Sequence, residues 1–85
     1  MKPVTIYTTM MCPYCRRAKK LLEEKGAEYN EIRAGLNTDL KAEMIQRSGG
    51  ARTFPQIFIG DTHVGGCDEL HALERDGKLD PMLAD

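Results

Sequence analysis

The sequence has no tryptophan and only five aromatic side chains, three Tyr and two Phe, in 85 residues. A core without large rings has to be assembled from aliphatic side chains and Met. The apolar fraction of 41% is ordinary for a globular chain and too high for a disordered one. Cysteine is scarce: three residues are too few for a disulfide scaffold, and an odd number leaves one over. No apolar run approaches the roughly 20 residues that cross a bilayer. The opening stretch MKPVTIYTTMM has neither a long apolar segment nor a small-residue cleavage site, so the expectation is a cytoplasmic chain without a secretory signal. In that compartment a lasting structural disulfide is unexpected. Neither sign of charge dominates, with 12 basic and 13 acidic residues, so nothing global recommends nucleic acid or an anionic membrane as partner. Internal repeats, low-complexity tracts, interior linkers and a G-x-G-x-x-G fingerprint are all missing. What remains is a single domain over residues 1–85, near the lower size at which a core alone sustains a fold. No exposed apolar stripe demands a dimer, so a monomer is expected.

Val4-Thr5-Ile6-Tyr7-Thr8 alternates and is rich in β-branched residues, which predicts a strand. A helix is expected from about Pro13 to Lys25. Proline suits its first turn, where an amide hydrogen would lack a partner; Ala18, Leu21 and Leu22 form its buried stripe and Gly26 ends it. A second strand fits Glu28 to Arg33, with Tyr29 and Ile32 looking inward. Asn37 or Thr38 caps a second helix carrying Leu40, Met44 and Ile45 on one side, and Gly49-Gly50 stops it. QIFIG (Gln56 to Gly60) is a dense apolar strand that Asp61-Thr62 turns into a short partner at His63-Val64. After the break at Gly65-Gly66, Asp68 begins a helix with Leu70 and Leu73 that Gly77 terminates. A last short turn starts at Asp80-Pro81 and packs Met82 and Leu83. The order β-α-β-α-β-β-α requires a parallel first pair with a right-handed crossover and an antiparallel closing hairpin. An α/β fold with a four-stranded mixed sheet and helices on both faces is the economical solution.

The chemistry concentrates in MMCPYCRRA, Met10 to Ala18. Three readings compete for Cys12 and Cys15. Zinc would need two more ligands, and Cys67, His63 and His71 lie far along the chain on a separate strand and helix. A structural disulfide conflicts with the expected compartment. Redox exchange is favoured, because C-x-x-C at a strand-to-helix junction inside a β-α-β arrangement is a specific signal. Cys12 falls at the helix N-cap, where unpaired amide hydrogens and the positive end of the helix dipole stabilise an anion. Its sulfur is therefore expected as a thiolate near neutrality. Cys15 lies one turn deeper on the same side, close enough for a disulfide but expected to be more buried and protonated. That asymmetry supplies one attacking and one resolving sulfur. RRAKK (Arg16 to Lys20) adds positive charge in the following turns, expected to favour the thiolate and anionic partners.

Two further motifs, TFPQIFI (Thr53 to Ile59) and GGCDEL (Gly65 to Leu70), follow CPYC (Cys12 to Cys15) in order and near-regular spacing. Together they resemble the glutaredoxin family over essentially the whole chain, and most nearly its short bacterial dithiol type, which also carries a third cysteine. The resemblance implies a thioredoxin fold and a glutathione-dependent thiol–disulfide oxidoreductase. Cys12 would attack a glutathionylated or disulfide substrate, and a second glutathione would clear the Cys12–glutathione mixed disulfide. Cys15 would resolve protein–Cys12 mixed disulfides, leaving a Cys12–Cys15 bond for glutathione to reduce. The implied partners are glutathione and glutathionylated or disulfide-containing proteins, ribonucleotide reductase among them. Glutathione reductase and NADPH enter only indirectly, so no tightly bound cofactor and no metal is expected.

Residue by residue, the resemblance sets glutathione against Tyr14, Lys41, Thr53, Phe54, Pro55, Gly66, Cys67 and Asp68. Pro55 would be a cis-proline, with Phe54 offering its backbone to the cysteinyl part. Asp68 would accept the α-amino group while the amides of Cys67 and Asp68 hold the adjoining carboxylate, which suits a helix N-terminus; helix capping is the plainer role for Asp68. Lys41 would bind the glycine carboxylate, although taken alone it is an ordinary surface lysine. Tyr14 would flank the substrate as an exposed ring or pack partly on the surface. Cys67 reads as a small, semi-buried residue used for its backbone, with a regulatory thiol as the sharper alternative. The chain departs from the family pattern in three ways: Thr9 stands where many members carry a lysine, Phe54 replaces valine, and the Ser48–Thr53 stretch is one residue longer. Two rivals accompany the main reading. One is a carrier in which two chains and two glutathiones hold a [2Fe–2S] cluster through Cys12, a role better matched by a C-G-F-S motif. The other is a glutaredoxin-like protein reduced by thioredoxin reductase.

Overall fold

The alternation in Val4–Thr8 becomes a central strand with both faces covered. In the computed structural model, which describes all of residues 1–85, β1 (Val4–Thr8) is followed by α1 (Pro13–Glu24) and β2 (Tyr29–Arg33). Then come α2 (Thr38–Arg47), β3 (Gln56–Ile59), β4 (Thr62–Gly65), α3 (Cys67–Arg75) and α4 (Leu79–Leu83). The sheet order is β2-β1-β3-β4. β1 runs parallel to β2, with Val4 opposite Tyr29, and antiparallel to β3, with Ile6 opposite Ile57. β3 and β4 close as an antiparallel pair with an irregularity between Ile57 and Phe58.

Side chains alternate across the sheet and so build two cores. Val4, Ile6, Ile57 and Ile59 meet Ala18 and Leu22 of α1, Leu70 of α3, and Leu79 and Leu83 of α4. Tyr7 and Phe58 project to the other face, against Ala34, just after β2, and Met44 of α2. QIFI is buried at all four positions because helices cover both sides of β3, which explains its unbroken apolar pattern. Tyr29 and Ile32 do look inward, but three positions apart they reach opposite cores. On the α2 side the Tyr7 hydroxyl donates to Glu43 at 2.6 Å and accepts from Arg47 Nη1 at 2.7 Å. The Arg47 guanidinium lies 4.4 Å from the Phe58 ring centre.

β2 begins at Tyr29 and β4 at Thr62, each one residue from expectation, and two helix starts differ as well. α3 begins at Cys67 with Gly66 as its N-cap, so Asp68 sits in the first turn and does not cap the helix. Glu69 is the reason: its Oε1 accepts the Gly66 amide hydrogen at 2.7 Å. Gly65 makes room for that side chain at φ 116°, where an added Cβ would come within 2.9 Å of Glu69 Oε1. The final turn is a helix from Leu79, one residue ahead of Asp80, because Leu79 and Leu83 are fully buried while Met82 is only partly so. No helix is long and apolar enough to cross a membrane.

Candidate active site

The chain leaves β1 through Thr9–Met11 and enters α1 at Cys12, whose extended φ/ψ of −111° and 103° makes it the N-cap. Pro13 occupies the first turn, as expected. The Cys15 amide donates to Cys12 Sγ at 3.2 Å, so the half-buried sulfur takes the part that a Ser or Asp oxygen plays at other caps. A donor aimed at sulfur from a helix N-terminus favours negative charge there. Cys15 is buried and all three thiols are free. Burial, reinforced by its hydrogen bond and charge interaction with Cys12, pushes the Cys15 thiol up to about 12, against smaller opposing effects from the Thr9 backbone and Lys19. Cys15 is therefore a protonated thiol at neutral pH.

The charges of RRAKK divide in a way the sequence does not reveal. Lys19 ion-pairs with Glu31 of β2 at 3.2 Å, and Thr8 Oγ1 donates to the same carboxylate at 2.8 Å. Burial alone would raise the Glu31 carboxyl, but the hydrogen bonds from Thr8 and Lys19 and the charges of Lys19 and Arg33 hold it below the usual range. Arg16, Arg17 and Lys20 stay exposed.

Seven of the eight residues expected to contact a ligand line one groove of about 160 Å³: Tyr14, Thr53, Phe54, Pro55, Gly66, Cys67 and Asp68. Each of three segments contributes through a local device. The first turn of α1 presents Tyr14, which is 54% exposed. The loop before β3 contributes Phe54 and Pro55 joined by a cis peptide bond, as expected. The start of α3 lies so close to that loop that a Cβ at Gly66 would sit 3.3 Å from the Pro55 carbonyl oxygen. The amides of Cys67 and Asp68 are at the helix N-terminus and face no intrahelical acceptor. Burial raises the Cys67 thiol; nearby Arg17 opposes this, while Asp68, Cys12 and Glu69 add to it. Its Sγ is 3.4 Å from His71 Nδ1. Lys41 lies apart, in a separate hollow with Leu36, Asn37 and Arg52. His63 is also elsewhere, 2.7 Å from Gln56 Oε1 and stacked on Phe58 at 4.9 Å between ring centres.

Two residues of the site had no assigned part. Gln56 Nε2 donates to Thr53 O at 3.0 Å and Thr53 Oγ1 at 3.1 Å, clamping the loop that carries the cis bond. Glu69 lines the groove and holds the Gly66 amide. The spacing of Glu69 three residues after Gly66 was a readable capping signal; the Gln56 clamp had none.

A half-buried N-cap thiol, a buried partner one turn on, and a cis-proline loop beside them on a four-stranded mixed sheet define a thiol–disulfide oxidoreductase of thioredoxin fold. The glutaredoxin family model matches residues 4–64. Over 84 residues the chain is 58% identical to a glutaredoxin of Pseudomonas aeruginosa, covering 99% of each chain. A glutaredoxin from Brucella melitensis superposes with TM-score 0.84 at 63% identity, covering 98% of this chain and 89% of that one. A buckwheat glutaredoxin–glutathione complex superposes with TM-score 0.85 at 41% identity, over 96% of this chain and 76% of that one. The chain belongs to the glutaredoxin family.

Proposed function

We propose that this glutaredoxin is a glutathione-dependent reductase of glutathione mixed disulfides and protein disulfides, with Cys12 attacking and Cys15 resolving. One observation carries the reading: an N-cap sulfur with an amide hydrogen aimed at it stands beside a groove ending in free amides and a carboxylate. That groove suits a γ-glutamyl peptide. Asp68 accepts the α-amino group, the Cys67 and Asp68 amides hold the adjoining carboxylate, and the Phe54 backbone pairs with the cysteinyl residue. Thr53, Pro55 and Gly66 shape the walls, and Tyr14 flanks the sulfur. Lys41, in the hollow that holds Arg52 next to Thr53, is left for the glycine carboxylate. The glutathione complex of the buckwheat relative supports the choice of ligand.

The Cys12 thiolate attacks the glutathione sulfur of a protein–glutathione disulfide. The Cys12–glutathione bond forms as the old S–S bond breaks, and the protein leaves as a thiolate that takes a proton from water. A second glutathione thiolate attacks the glutathione sulfur, releasing glutathione disulfide and the Cys12 thiolate. With a protein disulfide, Cys12 bonds one sulfur and frees the other. Cys15 then gives up its proton and attacks the Cys12 sulfur, freeing the remaining protein thiol; two glutathiones later reduce the Cys12–Cys15 bond. A Cys15 held protonated until needed leaves Cys12 free for the first step.

The test is a coupled assay on a small glutathione mixed disulfide, comparing glutathione plus its reductase with thioredoxin reductase, each with NADPH. NADPH consumption is expected with the glutathione system. Equal or faster turnover with thioredoxin reductase would overturn the choice of reductant. No turnover, together with visible cluster absorbance after anaerobic reconstitution with glutathione, would favour the iron–sulfur carrier instead.

A further inference from the structure

The glutathione contacts leave the larger opening at Cys12 unused. This hollow, of about 890 Å³, is formed by the β1–α1 loop, the first turns of α1, and β2 with the residues after it. It contains Cys12 itself and shares no lining residue with the groove of Pro55 and Asp68.

Three observations give it a character. Its rim is apolar and uncovered: Met10 is 70%, Met11 92% and Leu36 87% exposed, three of the five large apolar side chains the chain leaves in water. Met11 is held there by a left-handed backbone, φ 52°, the one non-glycine residue of the chain at positive φ, a conformation that side-chain-bearing residues avoid. The charge is one-sided. Arg16, Lys19 and Arg33 face a single carboxylate, Glu31, and that carboxylate is taken up by Lys19 and Thr8. Arg33, 82% exposed, approaches Glu31 only to 3.8 Å, which leaves its guanidinium free to pair outward. Lys19 and Glu31 cancel, so Arg16 and Arg33 are the charges left over.

We propose that this hollow seats the protein half of the mixed disulfide: an extended substrate segment with an apolar side chain beside its reacting cysteine and an acidic residue close by. The inference rests on the function proposed above, because it needs glutathione in the other groove. Sulfur exchange at Cys12 then has a site for each half of the disulfide, and the leaving protein thiolate departs from a cationic surface. A second glutathione is a poorer occupant, since it offers no apolar side chain to cover Met10, Met11 and Leu36.

The test uses the full reduced chain and three substrates. Two are glutathionylated peptides with leucine beside the cysteine, one carrying Glu and the other Lys nearby; the third is the mixed disulfide of glutathione with 2-mercaptoethanol. The native protein is expected to favour the Glu peptide by about tenfold in kcat/KM. Arg33→Glu is expected to remove or reverse that preference. Leu36→Ser is expected to slow both peptides about threefold, and both variants to turn over the small disulfide within about twofold of native. Both side chains are exposed, and circular dichroism checks that the fold is kept. Equal native rates on the two peptides overturn the proposal. So does an equal loss on the small disulfide, or a raised KM for glutathione, which would assign the hollow to the second glutathione. If no substrate turns over with glutathione, the proposed function fails first and takes this inference with it.

Discussion

Cys12 and Cys15 have the same side chain three positions apart, and the helix makes them unlike. One sulfur caps α1 and accepts an amide hydrogen; the other is sealed into the core. Replacing Cys12 with Ser should abolish reduction of both mixed and protein disulfides. Cys15→Ser should keep deglutathionylation while losing most reduction of protein disulfides, measured side by side on the two substrate types. Burial also ties Cys15 to stability. Its folded value is raised, so the reduced protein holds this contribution fully below the unfolded thiol's value of about 9 and loses it as pH climbs toward about 12. Urea midpoints of the reduced native chain should fall over that range more steeply than those of Cys15→Ser. The N-cap thiol was legible because capping is decided by neighbours in sequence. Gln56 as a clamp was not, because its partners Thr53 and His63 become neighbours through a loop and a strand pairing that no local pattern announces.

At the scale of elements, the site is where three ends meet: the start of α1, the loop before β3 and the start of α3. The loop depends on Gln56, which is 4% exposed and spends both amide hydrogens on Thr53. Gln56→Leu leaves Thr53 O without its partner. It should raise KM for glutathione mixed disulfides about fivefold, equivalent to roughly 1 kcal/mol, with little change in kcat. Steady-state kinetics on the small mixed disulfide checks this; an unchanged KM would show that the loop holds its shape unaided. β1 was legible from β-branched alternation, β3 from its dense apolar run, and α1 from proline and its apolar stripe. The start of α3 was displaced by one residue because Glu69, not Asp68, satisfies the free amide at its beginning. Lys41 stands in a different hollow, with Arg52, so its assigned contact with the glycine carboxylate rests on the family resemblance alone.

For the molecule as a whole, 85 residues support two small cores and a total stability of roughly 4–13 kcal/mol. α4 matters out of proportion to its length. Leu79 and Leu83 close the main core, and the Leu83 carbonyl accepts from the Lys2 amide at 2.8 Å, joining the two ends of the chain. Leu79→Ala should cost about 2–5 kcal/mol, a large share of the total. Urea unfolding followed by far-ultraviolet circular dichroism measures it, as there is no tryptophan to report. The parallel first pair and the antiparallel closing hairpin followed from the sequence of elements; the order β2-β1-β3-β4, with β3 antiparallel beside β1, came from the fold. The groove did not follow from the elements. Its walls come from residues 14, 53–55 and 66–69, and only the family resemblance brought all of these but Glu69 together before the fold did.

The account stands on unequal sulfurs, and alkylation with iodoacetamide, mapped by mass spectrometry across a pH series on the reduced chain, measures that inequality site by site. Cys12 should label at neutral pH while Cys15 resists until the solution is strongly alkaline. Labelling of both cysteines along one shared pH curve, or of Cys15 first, would contradict it.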